Sequence, residues 1–466
     1  MCIRCPFRRI TPACRINTLV PPRLSTIRRI RPIANYVSGV AIALVLEHGA
    51  ARAQLIDQYL DPNVPGYGIE PGVTVAARQH PEYDSSGIRV GAFTLQPTLD
   101  EYVGYDDNVT ATATAHGSPL IETNARVEAM SAMSDASLGG SLTVDNMEYP
   151  SQSAQSYTNW TASFGGSYDF GHDTLYVAAS HLNLSQTPGQ LDAPQLQGAI
   201  AYRVDDGRVS YKWDLSPLTL QPAFDVSYYS YDNGSVLGVP YLQSYRDRIV
   251  YQPSLTAGYE FATRRRIVVI IRDAAAQYMN APPGFPRESF NDASILAGVS
   301  YDTDGIVGLR LLGGYEERSF SSSAYRMIQA PIVEAGVTWT PTGLTTVTGT
   351  AARYIEDSAA EATVGYTETA FKLAIDHELY RNVILSANGG VYLDDYAQNG
   401  GNQQFYTAGV AAVWKLNRTV ALGADYTYSS RQTSAAFPFD EAIPNGGVFG
   451  ESYTASVFRV HLRIAI

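Results

Sequence analysis

Cysteine is absent from this 466-residue chain after its fourteenth position; Cys2, Cys5 and Cys14 are all it has. If a leader containing them is removed, the remaining protein has no thiol for a disulfide or a thiolate metal site. Lysine is almost as scarce, confined to Lys212, Lys372 and Lys415. Nowhere do apolar residues run for the roughly 20 positions that a membrane-spanning helix requires. Nor is there a segment of useful length with helical periodicity. Basic residues number 33 against 45 acidic ones, a formal net charge of −12. That balance argues against nucleic acid as a partner, because phosphates call for patches of Lys and Arg.

The basic residues that do occur are crowded at the front. Residues 1–53 hold nine Arg, no Lys and a single acidic residue, Glu47. An apolar stretch from Tyr36 to Leu46 follows, then Ala51-Arg52-Ala53 before Gln54. A basic n-region, a short h-region and an A-x-A site form the pattern of a secretory signal. Cleavage is expected between Ala53 and Gln54, since an apolar run of eleven residues is too short to anchor as a helix. The chain from Gln54 onward would carry 24 basic and 44 acidic residues, a net charge of −20.

What is abundant is alternation. The last nine residues place Phe458, Val460, Leu462, Ile464 and Ile466 at every second position, with Arg459, His461 and Arg463 between them. Successive side chains of a strand point to opposite faces, so one face suits lipid and the other water. The pattern recurs. Val383, Leu385, Ala387, Val391 and Leu393 oppose Ser386, Asn388, Gly390 and Asp394, and Leu422, Ala424, Tyr426 and Tyr428 oppose Gly423, Asp425, Thr427 and Ser429. Tyr outnumbers Phe by 32 to 15, and amphipathic rings collect where membrane meets water.

Connections between these strands come in two sizes. Short turns fall at 169–173, 216–217, 262–263, 303–304, 341–343, 380–382 and 417–419. Longer polar connections occupy 105–118, 147–156, 185–194, 232–246, 279–289, 320–328, 357–365, 396–403 and 431–450. Outer-membrane barrels have short periplasmic turns and longer outside loops. Nine long connections mean nine hairpins. The expected fold is therefore all-β, an antiparallel up-and-down transmembrane β-barrel over 87–466, of eighteen strands, with sixteen as the alternative count. Residues 54–86, rich in Pro and Gly, are expected as a periplasmic extension. Asp205-Asp206-Gly207 is read as a bulge within one long strand rather than a hairpin turn. The facing of Ile267-Val268-Val269-Ile270-Ile271 is undecided, because it does not alternate.

His80-Pro81-Glu82-Tyr83-Asp84, then Gly87-Ile88-Arg89-Val90-Gly91-Ala92-Phe93, lead into Pro97 and Tyr105-Asp106-Asp107-Asn108-Val109. In these blocks the chain resembles the putative β-barrel porin 2 family of Gram-negative outer membranes, over roughly 80–466. Two positions depart from the pattern: Thr110 stands where Phe is expected, and Ile466 replaces a C-terminal Phe. The resemblance implies an outer-membrane barrel of a kind sometimes encoded beside exopolysaccharide synthesis and proposed for its export.

Strand parity places Asp225, Glu260, Arg310, Glu316, Glu334, Lys372, Asp376, Asp394, Lys415, Asp425, Arg459 and Arg463 on the inward, pore-lining face. A mixed acidic and basic wall suits neutral or weakly charged hydrophilic solutes, sugars included; the plainer reading is that these charges only pair with one another. Other candidates are weaker. Asp106-Asp107-Asn108 lacks the regularly spaced oxygens of a Ca²⁺ loop and reads as a turn. His116-Gly117-Ser118 has no carboxylate partner nearby for hydrolytic chemistry. Arg264-Arg265-Arg266 reads as a charged turn at a rim, with lipid phosphate as the alternative ligand. The scattered histidines show no metal spacing. No catalytic residue, metal or cofactor is expected. The expected partners are outer-membrane lipid, the barrel assembly machinery, and polysaccharide or another hydrophilic solute. The expected function is a channel. The alternatives are a closed barrel whose long loops bind an outside partner and, more weakly, a barrel-embedded lipid hydrolase.

Overall fold

A computed structural model of the protein describes residues 59–67, 74, 75, 78, 80–131, 133–193, 198–236, 239–303, 305–359, 363–397, 401–434 and 450–466. The expected cleavage site, Ala53 and Gln54, lies outside them. Among the described residues one 19-stranded antiparallel sheet closes on itself. The three-residue strand Ile88–Val90 only pairs back on the next strand, so eighteen strands form the barrel.

In chain order the barrel strands are β1 (Phe93–Asp106), β2 (Ser118–Ser131), β3 (Ala136–Glu148), β4 (Tyr157–Asp169), β5 (Thr174–Gln186) and β6 (Ile200–Leu215). There follow β7 (Leu218–Tyr231), β8 (Arg248–Ala262), β9 (Arg265–Tyr278), β10 (Phe290–Thr303), β11 (Val307–Phe320) and β12 (Ile328–Thr342). The last third is β13 (Thr345–Glu356), β14 (Tyr366–Tyr380), β15 (Val383–Tyr396), β16 (Asn402–Lys415), β17 (Val420–Thr433) and β18 (Tyr453–Ala465). Each pairs with its neighbours in sequence, and β1 closes on β18 through Asp100↔Arg463 and Tyr105↔Phe458. Closure leaves no open edge, which a spanning sheet cannot tolerate in lipid. Among the described residues no helix is long and apolar enough to cross a membrane; the crossing is made by strands.

All nine long connections fall where the polar stretches of the sequence put them, at one end of the barrel. The connection between β7 and β8 carries a small hairpin of its own, Gly234–Val236 with Val239–Tyr241. At the other end lie the short turns, including one at 133–135 that the sequence did not announce.

Two local expectations change. The ladder runs evenly through Asp205-Asp206-Gly207 on both sides, Ser180↔Asp206 toward β5 and Gly207↔Val226 toward β7. There is one strand here, as expected, but no bulge. The carboxylates are satisfied without one: Asp206 accepts from Ser227 at 2.7 Å, and Asp205 pairs with His181 at 2.6 Å on the opposite face. The apolar run in β9 divides between faces. Ile267 and Ile271 are exposed on the outside, whereas Val268 and Ile270 are buried within, against Leu296, Leu312 and Ile332 of the next three strands. Both faces are apolar at this point, and so the sequence shows no alternation.

The stretch expected as a periplasmic extension is described in part. At the short-turn end Asp84 accepts an ion pair from Lys415 at 2.7 Å, and His80 lies 3.2 Å from Glu378. Farther up the chain, residues 59–67 do not stand clear of the barrel. Leu60, Val64 and Tyr67 pack on the inner wall against Ala178, Leu182, Leu184, Val204 and Tyr229.

Candidate functional site: the inner wall and its outer mouth

The two faces of the wall differ as alternation requires. Large apolar side chains such as Phe164, Phe371, Leu373, Val410, Trp414 and Phe458 stand exposed on the outer face. All twelve residues expected inside occupy the opposite parity of their strands. That lipid-ready belt and polar interior are the arrangement of a membrane-embedded barrel.

Cross-strand neighbours on one face of an antiparallel pair lie within reach of long side chains, and here the charges use that reach. Arg463 binds Asp100 on β1 through two nitrogens, at 2.6 and 2.9 Å. Arg459 bridges strands on both sides of β18, to Asp425 at 3.0 Å and to Glu122 at 2.8 Å, with its guanidinium over the Tyr102 ring. Glu334 lies between Arg272 at 2.7 Å and Arg310 at 3.6 Å. Asp225 pairs with Arg208, Glu260 with Arg266 at 3.5 Å, and Lys415 with Asp84. Asp376 accepts from Ser386 at 2.6 Å, and the Lys372 ammonium sits 5.6 Å from the centre of the Tyr392 ring. Glu316 accepts from the backbone N–H of Ile355 at 3.2 Å, beside Arg318 at 3.9 Å. Asp394 is the exception among the twelve, since neither carboxylate oxygen has a hydrogen-bond partner among the described residues.

Sequence reasoning missed several members of this lattice: Asp100, Glu122, Arg126, Arg208, Arg272 and Arg318. Their inward parity was readable once the strand was placed. Their pairing depends on register between strands, which no single strand displays.

At the long-connection end the mouth is crossed. Residues 187–193, after β5, reach residues on the far side of the barrel. Asp192 accepts hydrogen bonds from the hydroxyls of Ser358 and Tyr396, each at 3.1 Å, and from the backbone N–H of Ala359. Asp192 holds a positive φ of 50°, a conformation Asp adopts more readily than most residues. Burial pushes its carboxyl up to about 7, against the hydrogen bond from Ala359 and the nearby Arg246, which act to lower it. A second tie comes from Arg431 of β17. Its guanidinium is fully buried and donates to the carbonyls of Pro188, Gln190 and Glu451, while stacking on Tyr453. Leu191 adds an apolar contact with Tyr392, Phe405 and Tyr453.

The weaker motifs resolve into structure. Asp106 caps the backbone of Asn108 at 2.8 Å, Asp107 accepts from Ser456 at 2.7 Å, and the Asn108 amide donates to Thr112 and Thr454 carbonyls. This is a turn tied to β18. Arg264 occupies a short turn at φ 60°, and Arg265 lies over the Tyr301 ring.

An eighteen-stranded closed barrel with an apolar outer belt and a charged inner lattice defines the class: an outer-membrane β-barrel with a porin-like channel fold. A family profile described as putative beta-barrel porin 2 matches residues 80–444, and the chain belongs to that family. No curated protein sequence matches it. Among solved structures it is similar to OccAB3 of Acinetobacter baumannii, at 10% identity and a TM-score of 0.42, covering 81% of this chain and 100% of that one. A BenF-like porin of Pseudomonas fluorescens Pf-5 gives 10% identity, a TM-score of 0.45, and coverage of 81% and 100%. The outer membrane protein opdK of Pseudomonas aeruginosa gives 11%, 0.42, and coverage of 80% and 99%.

Proposed function

We propose that this protein is a passive outer-membrane channel for neutral or weakly charged hydrophilic solutes, with no covalent chemistry of its own. The observation that carries this reading is the pairing on the inner wall. Arg459 faces Asp425 and Glu122, Arg463 faces Asp100, and Arg272 and Arg310 flank Glu334. A wall whose opposite charges neutralise one another locally presents polar groups without a strong field of either sign. Such a surface suits sugars better than ions. Saccharide passage, and exopolysaccharide export as its particular form, is the reading that best fits this chemistry together with the family resemblance.

On this reading the chain is exported through the periplasm after cleavage between Ala53 and Gln54 and inserted by the barrel assembly machinery. Its short turns face the periplasm. The twelve inward residues line the passage. The test is solute flux into liposomes containing the folded protein. Neutral oligosaccharides should enter faster than sulfonated or quaternary-ammonium analogues of equal size; equal exclusion of all three would overturn the reading.

One observation favours a second reading. Residues 187–193 lie across the mouth, tied at Asp192 and Arg431. A mouth held shut in this way would make the barrel a holder whose long outside loops bind a partner.

A further inference from the structure

Residues 59–67 are built like a ligand, and the wall beneath them is built like its site. Asp61-Pro62-Asn63-Val64-Pro65-Gly66-Tyr67 folds into two consecutive turns, with Val64 N–H donating to the Asp61 carbonyl at 3.0 Å and Tyr67 N–H to the Val64 carbonyl at 3.1 Å. The asparagine N–H at 63 also binds the Asp61 carboxylate at 2.9 Å. The result is a compact knob rather than a loose tail.

Its seat spans six neighbouring strands, β2 to β7. Two glycines in direct register, Gly139 of β3 and Gly165 of β4, supply the floor. A methyl group on Gly165 would stand 2.0 Å from the Pro65 carbonyl oxygen, and one on Gly139 would stand 2.6 Å from the Pro65 ring. Gly66 meets the wall equally closely, its backbone at φ +100° with Ala178 2.9 Å from where a Cβ would be. Only a wall without side chains at these points admits the knob. Around the floor, Leu60, Val64 and Tyr67 enter an apolar pocket of Ala178, Leu182, Leu184, Val204 and Tyr229. Polar ties fix the edges. Arg126 pairs with Asp61 at 2.7 Å, Asn63 donates to Glu128 at 3.3 Å, and the Tyr67 hydroxyl donates to Asp206 at 3.1 Å.

We infer that residues 59–67 are a tethered plug seated in this glycine-floored slot, and that the seated plug narrows the passage. The inference rests on the channel reading for its consequence, though not for the seat itself. The knob lies on the same inner face as the paired charges and occupies cross-section that a solute would otherwise use. Later in the chain, Val75, His80 and Asp84 are held to Thr346, Glu378 and Lys415 of the wall. Those contacts do not involve the knob, which can leave its seat with them intact.

The test uses the full chain, with Cys2, Cys5 and Cys14 replaced by Ser and a single Val64→Cys substitution as reporter. Reaction with a maleimide is timed in folded barrels with and without Gly165→Leu, which fills the slot from the wall. Leu60→Asp, which unseats the knob without altering the wall, serves as a second variant. Unitary conductance is recorded for each background without the reporter. The expected result is a thiol roughly tenfold more reactive, and a conductance about one and a half times higher, in both unseated variants, because a fully buried side chain becomes exposed. Equal thiol reactivity with and without the substitutions would overturn the seat. Unchanged conductance despite an exposed thiol would overturn the narrowing. Barrels silent in every form, with the thiol protected only in the parent, would sink the channel reading while leaving the seat standing.

Discussion

The carboxylate of Asp192, on the connection after β5, accepts a hydrogen bond at 3.1 Å from the hydroxyl of Tyr396 at the end of β15. In the circular order of eighteen strands these positions lie on opposite walls. One contact thus joins the two sides of the outer mouth. The same carboxylate also holds Ser358 and Ala359 of the connection after β13.

Asp192 makes the docking of residues 187–193 dependent on pH. Released into solvent, its carboxyl titrates near the ordinary value of 3.8; docked, it is pushed up to about 7 by burial. The docked form therefore binds the proton more tightly. Docking is most stable below the ordinary carboxylate range, weakens as pH rises, and is weakest above about 7. The charged and titratable groups that face it are Arg246, Arg431 and Asp394, with Tyr366 and Tyr396. The protection of the 187–193 amides, taken relative to the intrinsic exchange rate at each pH, should fall between about pH 4 and 7. Asp192→Asn should remove that dependence, and a slope unchanged in the variant would assign it to another group.

Arg459 is the hub of the inner lattice near the closure of the barrel. Its removal takes away the cation that Glu122 and Asp425 share. Breaking one partner of a buried pair costs roughly 3 kcal/mol, less where water enters. Arg459→Ala should lower thermal stability and shift the reversal potential in a salt gradient toward cations. Restoring charge balance with Asp425→Asn in the same chain should recover most of the shift. A reversal potential indifferent to both changes would mean these residues do not face the conducting path.

Leu373 and Thr350 test which face meets lipid. Leu373 stands exposed on the outer face in the middle of β14, whereas Thr350 pairs with Lys372 on the inner face. An arginine on the lipid face near mid-bilayer costs about 2–4 kcal/mol, while the same residue in a lumen costs far less. Leu373→Arg should therefore fold poorly into vesicles, and Thr350→Arg should fold nearly as the parent does. Equal penalties would contradict the assignment of faces.

Much of the barrel is legible in the sequence. The nine long connections showed because loops at that end are polar and unconstrained, and the final strand because Phe458 to Ile466 alternates without interruption. The turn at 133–135 stayed hidden because it has neither Gly nor Pro to mark it. Asp205-Asp206-Gly207 imitated a turn signal, since sequence cannot show that Ser227 and His181 satisfy both carboxylates in place. Inner facing was readable from parity alone, as Asp225 and Glu334 illustrate. Their partners were not, because Arg208 and Arg272 come into reach only through strand register. The seat of residues 59–67 was out of sight for the same reason: Gly139 and Gly165 form a floor only once β3 and β4 are paired.

Removal of the leader has its own check. Intact mass of the protein extracted from outer membranes should correspond to a chain starting at Gln54. A mass that retains residues 1–53 would contradict cleavage after Ala53.

An open hydrophilic passage would show itself in single-channel recordings of the folded protein in planar bilayers. Stepwise conductance with little preference for either ion sign, interrupted by added neutral oligosaccharide, is the expected result. A barrel shown to be folded and inserted, yet electrically silent in the parent and in the Leu60→Asp variant alike, would overturn that reading.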